Sequence, residues 1–369
     1  RRDAKRRLPE AGPAVSSATN PAMMLGLDTP KKQGIFGTYV MLWVSSHVLV
    51  YASKMPGARQ YNTTSVVLIT EAVKLVMALA FYLRYDGDAA QLVREVRGST
   101  DLLLQYIVPA LLYCVYNNLV YLNLTFFDPG TYNVLMQLRI VLTGLLYQLL
   151  FSTRLGRNQW LAIILITLGC VCKEWPKLLG EGGRVPSALS HAWVLLAFQM
   201  LCSVFAGVYN EKLLKKDGKD GRRVGTNLQN AYMYLNSIGC NLGFLLVNGT
   251  LHEATHADNL RAVCSPTVLA IVAIMASVGM VTGFFLKILD SVLKSVASAI
   301  EVLLTTLLST VFFGTPLALA DVLAAAMVGG GVALYARPAG QPAGGQGKVS
   351  AEGDGSELSE LLPPTGLKK

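Results

Sequence analysis

YNVLMQLRIVLTGLLYQLL (Tyr132–Leu150) is nineteen residues long and almost wholly apolar, yet Arg139 stands inside it with no charged neighbour nearby in sequence. As a helix rising about 1.5 Å per residue it would reach across most of a hydrocarbon core of about 30 Å. A guanidinium cannot shed its proton to escape burial. An ionisable group in such a segment is costly, and the usual return is a ligand or a partner. The stretch therefore reads as a membrane-crossing helix that carries a functional cation.

The rest of the chain repeats the pattern. Of its 369 residues 52% are hydrophobic and 15% charged, against about a quarter charged in soluble domains. Apolar runs fall at about 35–53, 65–83, 102–126, 130–151, 158–174, 192–213, 228–248, 266–287, 294–313 and 316–336. FDPG (Phe127–Gly130) and FGTPL (Phe313–Leu317) break two of the boundaries with proline. The expected fold is all-α, a polytopic membrane protein of ten transmembrane helices. The chain opens on Arg1, which reads as a fragment or a processed form. RRDAKRR has no apolar run close behind it, so it is not read as a signal peptide. The net charge of +9 serves orientation and not nucleic acid, since no aromatic residues interleave the basic ones. The six cysteines lack CxxC spacing and mostly sit in apolar runs, so neither a disulfide framework nor a metal site is expected.

Lys and Arg crowd residues 1–33, the loops 84–101 and 152–157, and EKLLKKDGKDGRR (Glu211–Arg223). With an even number of crossings, both termini are expected in the cytosol. The sequons at Asn62 and Asn248 then fall on the opposite side, where glycans are added. A third, at Asn123, lies within an apolar run. Residues 337–369 are rich in Gly, Pro and Ser and are expected to be a disordered cytosolic tail. There Glu357 precedes Leu361–Leu362 by an acidic-dileucine sorting spacing.

Displacing the chain by 162 residues sets Asp128 on Asp290, Thr143 on Thr305, Phe151 on Phe313, Thr153 on Thr315 and Gly169 on Gly331 without a gap. The order Asp, helix, F-x-T-x-L turn, helix, Gly recurs. It predicts a first five-helix repeat at 34–174, a lumenal linker at 175–191, and a second repeat at 192–336. Five is odd, so the halves enter the membrane inverted, as in alternating-access transporters with a midplane site.

Few ionisable groups lie in the runs. Glu71 and Lys74, three apart, can pair on one helix face. Glu211 with Lys212 reads as a surface or gating feature at a helix end. Arg139 and Lys287 belong to opposite halves, and two cations across a cavity suit a phosphate-bearing substrate. The alternative is that Arg139 pairs with Glu301, its counterpart in the repeat. Tyr113, Tyr116, Asn117, Asn118, Tyr121 and Tyr132 add base-edge hydrogen bonds and stacking faces, which fit an organic anion.

YNNLVYLNLTFFDPGTYNVLMQLRI (Tyr116–Ile140), FAGVYNEKLLK (Phe205–Lys215), NLQN (Asn227–Asn230), LKILDSVLKSVASA (Leu286–Ala299) and ITEAVKL (Ile69–Leu75) resemble the nucleotide-sugar transporters of the Golgi and endoplasmic reticulum. The likeness is strongest to the carriers of CMP-sialic acid, UDP-galactose and UDP-N-acetylglucosamine, and covers about residues 35–336. The resemblance implies exchange of a cytosolic nucleotide sugar for a lumenal nucleoside monophosphate, without cofactor or metal. It implies that Tyr132 meets the nucleotide, that Arg139 and Lys287 hold the phosphates, and that Tyr113 and Asn117 line the site. The other polar members of these stretches, Asn118, Gln137, Asn227, Asn230, Asp290, Lys294 and Ser298, are expected at the same site. Glu71, Lys74, Glu211, Lys212 and Glu301 are expected to be structural or gating. The family often has lysine where Arg139 stands. A Golgi membrane is expected, with the endoplasmic reticulum as the alternative. A homodimer or a complex with glycosyltransferases are the expected protein partners.

HEATH (His252–His256) matches the zincin pattern HExxH in five letters. It follows Gly249 beside a sequon and reads as a solvated polar loop. A membrane enzyme acting on lipid-linked sugars would need a cluster of carboxylates, and the runs contain none. A structural membrane protein that only tethers partners would not need the central cations.

Overall fold

The protein is represented by a computed structural model that describes residues 27–53, 61–127, 129–179, 191–216, 224–314 and 316–336. Residues 1–26 of the expected N-terminal tail, 180–190 of the expected linker, 217–223 of the basic segment and the whole tail at 337–369 with its dileucine lie outside the described residues, and α1 already begins within the expected tail, at Pro30. Within them all regular structure is helical: α1 (Pro30–Ala52), α2 (Thr63–Phe81, continued by a π turn to Asp86), α3 (Ala89–Gly98), α4 (Thr100–Gln105), α5 (Ile107–Phe126), α6 (Pro129–Met136), α7 (Arg139–Phe151), α8 (Arg157–Leu179), α9 (His191–Leu214), α10 (Thr226–Val247), α11 (Leu251–Thr255), α12 (Ala257–Val263), α13 (Pro266–Ile288), α14 (Ser291–Phe313) and α15 (Leu319–Tyr335).

The helix ends follow from their residues. Thr29 caps α1 ahead of Pro30, Asn62 Oδ1 accepts from the N–H groups of Thr64 and Ser65, and Asp88 caps α3. Each oxygen satisfies an amide that has no intrahelical partner. Ser152 at φ 52° ends α7 and Gly314 at φ 66° ends α14, both left-handed. The expected loop at 84–101 is largely helical. In α3, Leu92 and Val96 turn inward to Tyr82, Tyr106 and Leu213, while Arg94 and Arg97 stay exposed. The third run is interrupted at Tyr106. Pro109 cannot return a hydrogen bond to the Gln105 carbonyl, so the helix restarts there. HEATH also differs from the expected loop. Leu251–Thr255 is one helical turn, and His256 Nδ1 accepts from the Asp258 N–H that opens α12.

Seven described helices are long and apolar enough to cross a membrane: Pro30–Ala52, Thr63–Asp86, Thr100–Phe126, Thr131–Phe151, His191–Leu214, Pro266–Ile288 and Ser291–Phe312. α8 and α10 have similar lengths, 23 and 22 residues. They fall short in apolarity, because α8 opens on Arg157-Asn158-Gln159 and α10 on Thr226-Asn227 with three more polar side chains by Asn236. α15 is apolar but has 17 residues. The outside of the bundle is oily: Leu149, Val194, Val247, Val311 and Leu319 each expose 70% or more of their surface. Its interior holds Asn123, Gln199, Glu211, Gln229 and Asn230. Such a distribution suits lipid as solvent. This is a multi-pass membrane protein.

Packing knits the two ends of the chain together. α1 packs on α13 and α14, α9 on α5 and α7, α2 on α10 and α13, and α10 also on α5. α8 and α15 form the most intimate pair. They run antiparallel, since Gly169 meets Ala324 and Val328 while Gly331 meets Ala162 and Ile166. Around Tyr39 and Phe285, whose rings are 4.6 Å apart, α1 closes on α13.

Candidate functional site

A cavity of about 500 Å³ lies among α1, α5, α7, α9 and α14. The helical period of 3.6 builds its walls. On α14, Ser291, Lys294, Ser295, Ser298 and Glu301 form one inward stripe. On α1, Tyr39, Trp43 and His47 recur every fourth residue and face it. Tyr113, Tyr116 and Asn117 enter from α5, and Ser203 and Gly207 from α9.

Arg139 is the first residue of α7 and reaches the cavity because the fourth run is broken. The N–H groups of Gln137 and Leu138 bond the carbonyls of Val134 and Leu135, three residues back, and α6 ends at Met136. Such tight turns within a helix commonly mark functional places. Irregular backbone at membrane depth is tolerated where it lines a polar cavity, and Gln137 and Arg139 both line this one. Arg139 Nη1 lies 3.4 Å from the Tyr116 hydroxyl, and Thr143 donates to the Arg139 carbonyl at 2.8 Å. The second cation lining the cavity is Lys294, close enough to Arg139 for the two charges to interact. Glu301, the alternative partner for Arg139, is buried and instead pairs with His47 Nδ1 at 2.7 Å, while His47 stacks on Trp43.

Of the residues singled out in the sequence, Tyr113, Tyr116, Asn117, Gln137, Arg139, Lys294, Ser298 and Glu301 line this cavity. Others are engaged outside its lining. Asn118 donates to the Cys114 carbonyl at 2.8 Å. The Tyr132 hydroxyl accepts from Gln199 Nε2 at 2.9 Å. Asn227 Nδ2 lies 3.2 Å from Asp86 Oδ2, and Asn230 packs over Gly283. Asp290 caps α14 by accepting from the Leu293 N–H at 2.6 Å. Lys287 is half-buried in the last turn of α13 and interacts with its surroundings there. Glu71 and Lys74 pair with one another, and Lys74 lies over the Tyr234 ring, away from the cavity.

Glu211 corrects the sequence reading. It is fully buried and its partner is Lys215, 2.7 Å away, while Lys212 points outward. Glu211 Oε2 also accepts from the Ser291 N–H at 2.7 Å, and Lys215 donates to the Leu289 carbonyl. The end of α9 is thereby tied to the α13–α14 turn beside Ser291, which lines one end of the cavity. Sequence reasoning missed Tyr39, Trp43 and His47. Their four-residue spacing, with a histidine in an apolar run, was the available signal.

A family model described as nucleotide-sugar transporter matches residues 33–336. The chain is 39% identical to the UDP-galactose transporter senju of Drosophila melanogaster, covering 82% of this chain and 85% of that protein. It is 29% identical to CMP-sialic acid transporter 2 of Oryza sativa subsp. japonica, covering 89% and 90%. It is 30% identical to the UDP-galactose translocator of Mus musculus, covering 79% and 74%. A solved crystal structure shares the fold with a TM-score of 0.60 at 17% identity, covering 82% of this chain and 96% of that one. These relatives are carriers and not enzymes, and this chain belongs to the nucleotide-sugar transporter family.

Proposed function

We propose that the protein exchanges a cytosolic nucleotide sugar, UDP- or CMP-linked, for a lumenal nucleoside monophosphate by alternating access in the Golgi membrane, with both termini cytosolic. The observation that carries this reading is the joint lining of one cavity by Arg139 and Lys294, cations from opposite halves of the chain. A fork and a point charge together suit phosphate oxygens. Tyr113, Tyr116 and Asn117 beside them offer a stacking face and hydrogen bonds for a base.

The halves in this reading are two inverted repeats of five crossings, with α8, α10 and α15 counted as spans. Three features support it. The packing partners come in exchanged pairs at the 162-residue offset: α1 on α13 answers α9 on α5, and α1 on α14 answers α9 on α7. Ser152 and Gly314, at that offset, both end their helices left-handed. α8 and α15, which correspond, cross antiparallel. A repeat turned about an axis in the membrane plane would have that direction.

Proteoliposomes containing the purified protein test the exchange. Internal nucleoside monophosphate should accelerate uptake of labelled nucleotide sugar several-fold. Equal uptake by empty vesicles, abolished when a proton gradient is collapsed, would overturn the exchange mechanism.

A further inference from the structure

The cavity for an anion contains a carboxylate, and the phosphate cations do not account for it. Glu301 is buried, lines the cavity and is held by His47 Nδ1 at 2.7 Å. It stands seven residues beyond Lys294 on the same stripe of α14, two helical turns or about 10 Å away. Trp43 lines the cavity beside it with its ring stacked on His47, 5.6 Å between centroids. A carboxylate has about four acceptor positions, and the bond to His47 occupies one of them. The remainder suit vicinal hydroxyl donors, and the indole offers an apolar face to the C–H side of a sugar ring.

We propose that Glu301, held by His47 and flanked by Trp43, forms the subsite for the cargo's sugar and selects neutral hexoses over sugars that carry a carboxylate. The proposal rests on the nucleotide-sugar reading and names its substrate class. A nucleotide sugar has three parts, and so has this cavity. The aromatic and amide groups of α5 take the base, Arg139 and Lys294 take the phosphates, and the Glu301 end takes the sugar. Among the described residues the Lys and Arg side chains lining the cavity are Arg139 and Lys294; once the phosphates occupy both, an acidic sugar meets at the far end only His47, which is already the partner of Glu301. Its carboxylate instead comes against that of Glu301, and like charges at close range repel. A neutral hexose donates to the same oxygens.

UDP-galactose and UDP-galacturonate isolate this effect, since they differ only by CH₂OH against COO⁻ at C6. Their inhibition constants are measured against labelled UMP on detergent-purified full-length protein. Wild type should favour the hexose by roughly tenfold or more. Glu301→Gln, which keeps size and an acceptor but removes the charge, should bring the ratio within about threefold of unity. His47→Gln leaves the carboxylate and should retain the preference. The ratio is read within each variant, so a general loss of affinity cancels. A wild type that binds both sugars equally would overturn the proposal without any variant. So would an E301Q ratio that stays at the wild-type value, or an H47Q ratio that collapses as far as that of E301Q. Failure of the wild type to bind UMP or either UDP sugar would overturn the proposal together with the UDP-linked branch of the reading it rests on, and UMP binding with no sugar discrimination would overturn only the subsite.

Discussion

Gly169 of α8 and Gly331 of α15 are in reciprocal contact with each other's helices. A methyl at 169 would meet Val328 Cγ2 at 2.9 Å and the Ala324 carbonyl at 3.2 Å, and one at 331 would meet Ile166 Cγ1 at 2.6 Å and the Ala162 carbonyl at 3.1 Å. Small residues let backbones approach closely where lipid supplies no hydrophobic drive. Alanine gains up to about 1 kcal/mol in helix propensity, but overpacking costs about 1–3 kcal/mol. At 331 two of the three nearest atoms are backbone of α8, so little can yield. Gly331→Ala should lower the melting temperature in detergent. Gly329→Ala, with open space around it, should not. Equal melting of the two would refute the close packing.

Gln199 is fully buried and joins three segments. Its Oε1 accepts from Asn123 Nδ2 at 2.8 Å, and its Nε2 donates to the Tyr132 hydroxyl at 2.9 Å and the Tyr116 carbonyl at 3.1 Å. Gln199→Leu strands these groups, at about 1–3 kcal/mol each where no water replaces the bond. Its melting temperature should fall well below that of Tyr132→Phe, which removes one bond of the set. Unchanged melting of Q199L would mean the network contributes no stability.

The Glu211–Lys215 tie holds the end of α9 to the turn at Leu289–Ser291. Under alternating access this contact must part when the cavity opens at that end. A cysteine at Ser291 reports it, on a background without the exposed Cys264. Glu211→Ala should speed its labelling by an impermeant thiol reagent several-fold. Glu211→Gln keeps an acceptor for the Ser291 N–H and should fall between. Identical labelling rates in all three backgrounds would rule out a latch.

The membrane class was legible because lipid demands long apolar runs, and Pro129 marks where one helix gives way to the next. The break at Gln137–Leu138 was not, since it contains neither proline nor glycine and reflects the polar cavity it lines. The second cation illustrates a finer limit. Lys287 and Lys294 flank the turn at Leu289–Asp290, and sequence alone does not give the rotation of α14 relative to α13. Lys294, Ser298 and Glu301 stand at helical spacing, but only with α1 in place do they become a wall of the cavity. Tyr39, Trp43 and His47 join Arg139 through long-range packing that no local pattern encodes.

The pairing of Glu301 with His47 sharpens what removal of Arg139 should do. If Arg139 served mainly to neutralise Glu301, Arg139→Ala would leave a bare carboxylate, and adding Glu301→Ala would restore folding and binding. With Glu301 already held by His47, the double variant should bind monophosphate no better than Arg139→Ala alone. The clamp reading makes further demands. Arg139→Ala and Lys294→Ala should each weaken monophosphate binding by roughly tenfold to a hundredfold, the range expected for a charge-assisted hydrogen bond. Arg139→Lys should lose less, since charge survives although the two-pronged geometry does not. The free nucleoside has no phosphate, so it should bind weakly to every variant and lose little further. Lys287→Ala separates the two lysines, because Lys287 does not line the cavity; its effect on monophosphate affinity should be smaller than that of Lys294→Ala. Calorimetric titration of the purified variants, each checked for cooperative melting, measures all of these. Normal monophosphate affinity in a folded Arg139→Ala protein would remove the guanidinium from the phosphate site. A larger loss in Lys287→Ala than in Lys294→Ala would assign the second phosphate cation to the α13 end instead of the α14 stripe.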